Sequence, residues 1–175
     1  MKTFFTAFLF FVFLFFISLV AQAQHCAPET AFWYFGTNAG LNFNTGVPVP
    51  LTDGMVANYE GSATMSDSNG NLLFYTDGVT VWNRNHQQMP NGFGLQGNPS
   101  TTQAALIVQQ PDNDNIYYIF TAPSQGGSGN EQPIGASLAY AVVDMNLDGG
   151  LGDVTTPSQA LIYPAAEKLT AVKHA

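Results

Sequence analysis

The chain has 175 residues, 46% of them hydrophobic and only 9% charged, with 12 acidic against 4 basic side chains and a formal net charge of −8. Binding to nucleic acid needs clustered Lys and Arg against phosphate, which this composition excludes; an anionic membrane surface is disfavoured on the same ground. A single cysteine, Cys26, rules out an internal disulfide, so the fold must rest on a buried core.

Residues 1–23 have the form of a secretory signal peptide. Lys2 gives a positive start, residues 4–20 are apolar but for Thr6 and Ser18, and Ala21-Gln22-Ala23 places small residues at a cleavage site. A transmembrane helix wants about 20 apolar residues, so an uncleaved anchor is the alternative. Cleavage after Ala23 predicts a product in the periplasm, at the cell surface or secreted. It would have no membrane span, and Arg84, Lys168 and Lys173 would be its only bases. Cys26 follows His25 rather than a small residue, which argues against lipidation. Residues 24–175 are long enough for one domain.

Within that domain helix signals are nearly absent, and short runs rich in Val, Ile, Tyr, Phe, Trp and Thr alternate with Gly, Asn, Asp and Pro clusters. That is the all-β pattern. Residues 61–66 (GSATMS) and 72–76 (LLFYT) read as strands around a DSNGN turn, in which Asn69-Gly70 accepts the positive φ of a tight hairpin. Asp77-Gly78 is a second turn, 79–83 (VTVWN) a third strand, and 90–92 (PNG) the turn that closes this antiparallel meander. A second unit follows, with strands at 103–109 and 116–121 around a PDNDN turn, a Gly/Ser loop at 124–129, and strands at 137–144 and 161–163. Ala63 and Ala105 open the two units 42 residues apart, and Asn71 and Asn115 restart them 44 residues apart. A period of about 40–50 residues with several short strands is the spacing of propeller blades. The expectation is a partial β-propeller of about two blades over residues 24–175. Residues 168–174 (KLTAVKH) alternate like the first strand of a third unit, so the sequence reads as the front of a longer protein with further domains.

These strings carry a resemblance. Residues 33–43 (WYFGTNAGLNF), 60–78 (EGSATMSDSNGNLLFYTDG), 81–86 (VWNRNH) and 89–92 (MPNG) resemble the N-terminal region of gliding-motility-associated, type IX secretion substrate proteins of Bacteroidetes. The resemblance implies a β-propeller followed by repeat modules and a C-terminal sorting domain, for which no signal is read in residues 24–175. It implies architecture and location more than mechanism.

Candidate chemistry is sparse. Asp144, Asn146, Asp148 and Asp153, with the glycines between them, resemble a calcium loop, although the twelfth position is Thr155 rather than a bidentate Glu. The competing reading is a Gly-rich turn whose Asp and Asn cap their own backbone. The segments 112–115 (DNDN) and 67–70 (DSNG) carry the same two readings. Glu60, Asp67 and Asp77 are the acids placed to form a glycosidase pair. No G-x-S-x-G motif occurs, and His25, His86 and His174 lack metal-ligand spacing. Gly126-Gly127-Ser128-Gly129 opens no helix and carries no Lys, so it is no phosphate loop. The aromatics of the strands are core or, where exposed, platforms for sugars, and Trp82 with Arg84, two positions apart on one strand, is the candidate ligand-contacting pair. The reading is a non-catalytic binding or structural module with a protein or glycan ligand and no cofactor unless calcium. The alternative is part of a carbohydrate-active propeller enzyme, a glycoside hydrolase or lyase.

Overall fold

The computed structural model describes residues 27–124 and 137–172. The expected leader at 1–23, Cys26, the glycine run at 126–129 and His174 lie outside them. The described residues form three antiparallel sheets, none of them closed, each a simple meander. The first contains β1 (Phe32–Phe35), β2 (Ala39–Asn42) and β3 (Val49–Leu51). The second runs β4 (Ala63–Ser66), β5 (Leu72–Thr76), β6 (Thr80–Asn83), β7 (Gln88–Phe93), and the third β8 (Ala105–Gln109), β9 (Ile116–Thr121), β10 (Leu138–Asp144), β11 (Asp153–Ile162). Among the described residues helix is confined to two 3-10 turns, Pro28–Thr30 and Asp148–Gly150, and no helix is long and apolar enough to cross a membrane.

The turns form because a side-chain carbonyl or carboxylate takes up backbone N–H groups that the ladder leaves open. In the β4–β5 turn the Asp67 carboxylate accepts from the N–H groups of Asn69 and Asn71 and from the Asn71 amide, while Gly70 takes φ +80°. Between β5 and β6, Asp77 accepts from the N–H groups of Val79 and Thr80, with Gly78 at φ +88°. Between β6 and β7 the buried Asn83 amide oxygen accepts from the N–H groups of Asn85 and Gln87.

Three sequence expectations are corrected. Pro90, Asn91 and Gly92 do not close the second sheet; they lie inside β7. As an edge strand β7 tolerates a proline that has no N–H to donate, and Asn91 at φ +53° sits where the pairing with β6 shifts register. The strand expected at 161–163 instead starts at Asp153 and runs ten residues to Ile162. Its Thr-Thr-Pro-Ser stretch has a loop's composition, but it belongs to another edge strand, pairing with β10 through register shifts. Residues 168–172 are not a strand. They follow an irregular path at the start of β8, where the Gln103 N–H donates to the Glu167 carbonyl and the Leu169 N–H to the Gln103 side chain.

The second sheet is packed on both faces. Phe74, Val81 and Met89 meet Ile107, Tyr117, Ile119, Val143 and Val154 of the third sheet. Tyr75, with half-buried Trp82, meets Tyr34 and Val56 on the side of the first sheet. Each fully buried large side chain contributes about 1.5–3 kcal/mol. The first strands neighbour one another, β1 beside β4 and β4 beside β8, and the last strands do likewise, β7 beside β11. The Asn91 amide donates to Asp153 at 2.8 Å and the Gln96 N–H to Ser158 at 2.9 Å, both across 62 positions. The equal separation means that the chain runs the same way along these two edges.

Sheets come close at the first strands because glycine leaves room. A Cβ at Gly61 would collide with the backbone of Gln103 and Ala104. Gly61→Ala is therefore expected to lose about 3 kcal/mol, read as a lower urea midpoint; an unchanged midpoint would show that the sheets do not approach there. Partial burial pushes the Asp67 carboxyl up, but its bonds from Asn71 and Asn69 outweigh that and hold it below the usual range. The stabilisation is present above the unfolded value of about 4 and fades as pH falls through the lower folded one. Asp67→Ala is expected to cost about 1 kcal/mol at neutral pH, and its difference from wild type should close in acid denaturation curves.

Candidate functional site

The residues singled out in the sequence do not converge. Trp82 stacks on Tyr75, centroids 5.5 Å apart, on the side of the first sheet. Arg84 lies beyond the end of β6 in the turn, and its guanidinium reaches the third sheet, where a Cβ on Gly150 would sit 3.5 Å from it. The expectation that these two share a strand face thus fails because β6 ends at Asn83.

The Asp144–Asp153 segment is the β10–β11 hairpin, with Asp144 paired to Asp153 in the ladder. The Asp144 carboxylate accepts from the N–H and amide of Asn146, and Asp153 accepts from Asn91. Asn113 similarly accepts from the Asn115 N–H, and Asp114 from Gln109. Asp67 and Asp77 are occupied in their own turns. Among the described residues no group of three or more His, Cys, Asp or Glu side chains is placed to hold a metal ion.

A different cluster lies between the first and second sheets. Tyr34 of β1 and Tyr75 of β5 stack at 4.5 Å, so that Trp82, Tyr75 and Tyr34 make a continuous row of rings. The Tyr34 ring fits because positions 40 and 54 are glycine: a Cβ there would stand 2.9 and 2.6 Å from the ring. The loop after β3 then crosses this row. Its Asp53 carboxylate accepts from the Tyr34 hydroxyl at 3.0 Å and its Met55 N–H donates to the Tyr75 hydroxyl at 3.1 Å. His86, in the β6–β7 turn, completes the set with Nδ1 3.0 Å from the Tyr75 oxygen and Nε2 3.5 Å from Asp53.

The Tyr75 oxygen lies between the Met55 N–H and Nδ1 of His86, and Nε2 of the same ring faces the Asp53 carboxylate. Asp53 accepts from the Tyr34 phenol and faces the imidazole while remaining 55% exposed itself. Burial, followed by the bond to and charge of Asp53, pushes the Tyr34 phenol well above its ordinary value. Burial, aided by the Asp53 charge and partly offset by the Met55 N–H, pushes Tyr75 up to about 12. The stacked rings and the bonds from the loop after β3 to both hydroxyls tie β1 to β5, so this geometry clamps two sheets together.

Nothing local in the sequence points to this cluster. Asp53 and His86 stand 33 positions apart in segments composed like turns, and the two tyrosines are ordinary strand aromatics.

A groove of about 340 Å³ opens beside β1. It is lined by Thr30, Phe32, Trp33, Tyr34 and Phe35 together with Ser62 and Thr64. Trp33 and Phe35 are exposed while Tyr34 between them is buried, the alternation of a strand with one face in the core. The Trp33 indole N–H donates to the Thr30 carbonyl, and its ring leans on Phe43 at 5.1 Å.

The chain matches no protein-family model, no curated protein and no solved structure.

Tyr75→Phe removes a hydroxyl that serves both Met55 and His86 and is expected to cost about 1–2 kcal/mol in urea denaturation. The raised phenol values add stability that is complete below the unfolded pKa of about 10 and is lost as pH rises through the folded ones. Tyrosinate absorbance should therefore show a late, cooperative step coincident with alkaline unfolding. If every tyrosine ionised before unfolding, the buried clamp would be disproved.

Proposed function

We propose that this chain is an exported, non-catalytic binding or structural module built from neighbouring units of a β-propeller. The observation that carries the reading is the second sheet, apolar on both faces and covered on both by antiparallel meanders. First strand lies by first strand, and the last strands β7 and β11 run in the same direction. Radially repeated four-stranded sheets pack in this way. The third sheet extends the pattern: on its side away from the second, half-buried Tyr118, Phe120 and Tyr140 form an aromatic patch suited to a further unit.

The form of residues 1–23 and the resemblance to gliding-motility-associated, type IX secretion substrate proteins support a place outside the cytoplasm. Adhesion, matrix or motility-related contacts are the roles that fit. The non-catalytic part rests on how the polar side chains are used: Asp67 and Asp77 hold turns, and the phenol nearest an imidazole is buried.

Incubating the full chain with a panel of immobilised polysaccharides and surface glycoproteins, with chromatography of the supernatant, tests this. Retention without shortened products is expected; release of shorter saccharides that depends on native protein would establish the carbohydrate-active enzyme instead.

A further inference from the structure

Resting on the binding-module reading, we propose that the groove beside β1 is a site for a neutral saccharide, with Trp33 as its stacking platform. Three features point to that chemistry. The first is a presented ring held in place. Trp33 is 50% exposed, yet its indole N–H is tied to Thr30 and its ring leans on Phe43, so binding need not immobilise it. An apolar platform with a fixed orientation suits the C–H face of a pyranose.

The second feature is a pair of hydroxyls in complementary states. The unpaired edge of β1 faces the start of β4, where two side chains satisfy it in place of a strand. The Ser62 hydroxyl donates to the Tyr34 carbonyl at 2.8 Å, and the Thr64 hydroxyl accepts from the Tyr34 N–H at 2.9 Å. Each oxygen keeps what the other has spent: Ser62 has lone pairs to accept with, and Thr64 has a hydrogen to donate. A sugar hydroxyl, donor and acceptor at once, fits both.

The third feature is the absence of charge. None of the residues lining the groove is ionisable near neutral pH, in a chain with twelve acids, so neither a cationic nor an anionic ligand finds a partner here. The volume falls near the lower end of the roughly 300–1,000 Å³ typical of small-ligand pockets, which suits one or two sugar rings of a longer polymer.

The test is calorimetric titration of the full chain with cellohexaose, maltohexaose and chitohexaose, and with a galacturonate hexamer as the charged control. At least one neutral hexamer should bind, and the charged one should bind about tenfold more weakly or not at all. Trp33→Ala should weaken binding about tenfold or more while Trp33→Phe stays within about threefold, with circular dichroism and the thermal midpoint near wild type for both. Folded wild-type protein that gives no heat with any neutral hexamer, or Trp33→Ala that binds as wild type does, would overturn the assignment. Shortened hexamer in the cell would instead overturn the non-catalytic reading alone, since loss of binding in Trp33→Ala would still locate the ligand.

Discussion

A four-stranded sheet with apolar side chains on both faces cannot stand alone in water, and most of what this protein does structurally follows from that constraint. The second sheet alternates Phe74, Val81 and Met89 on one side with Tyr75 and Trp82 on the other. Each face demands a neighbour, and each neighbour must approach at the pitch that the side chains set. The two seams meet the demand differently. The one toward the third sheet is almost wholly aliphatic and aromatic, with Gly61 and Gly78 letting backbones close in at the first strands. The one toward the first sheet is thinner and is stiffened by polar bonds to Asp53, Met55 and His86.

That difference accounts for the unusual company kept by the tyrosines. A three-stranded sheet of short strands buries too little to fix its own position, so the rings of Tyr34 and Tyr75 supply area while their hydroxyls supply direction. The loop carrying Asp53 and Met55 closes over both oxygens, and the β6–β7 turn brings His86 to the other side. Each polar atom has a partner, which is what makes burying them tolerable. The groove beside β1 is a by-product of the same arrangement. Tyr34 turns inward to the clamp, so its neighbours Trp33 and Phe35 must turn outward.

How much of this was legible in the sequence depends on whether the signal was local. The hairpin around Asp67–Asn71 and the turn at Asp77-Gly78 were readable because a carboxylate two residues ahead of an N–H can bond it whatever surrounds it. The strand at 116–121 was readable from its aromatic and β-branched run. The edge strands were not, since β7 and β11 contain Pro90, Asn91 and Pro157, residues that mean turn in isolation and are tolerated where one side of the ladder is empty. The candidate site was hidden for a different reason. Asp53, His86, Tyr34 and Tyr75 come from four separate segments, and only the stacking of two sheets makes them neighbours. Trp82 was singled out as a candidate ligand contact and does lie at this seam, whereas Arg84 was paired with it by a period-two count that ran past the end of the strand.

The edge of β1 is served by two side-chain hydroxyls, with no amide ladder between it and β4. The backbone ladder therefore stops at that boundary, and stacked rings and side-chain bonds carry the coupling across it. Because the second sheet keeps apolar side chains on both faces, peeling the first sheet away would expose Tyr75 and Trp82, so the two are expected to open together. A seam held by side chains ties the fate of each sheet to the fit of its neighbour.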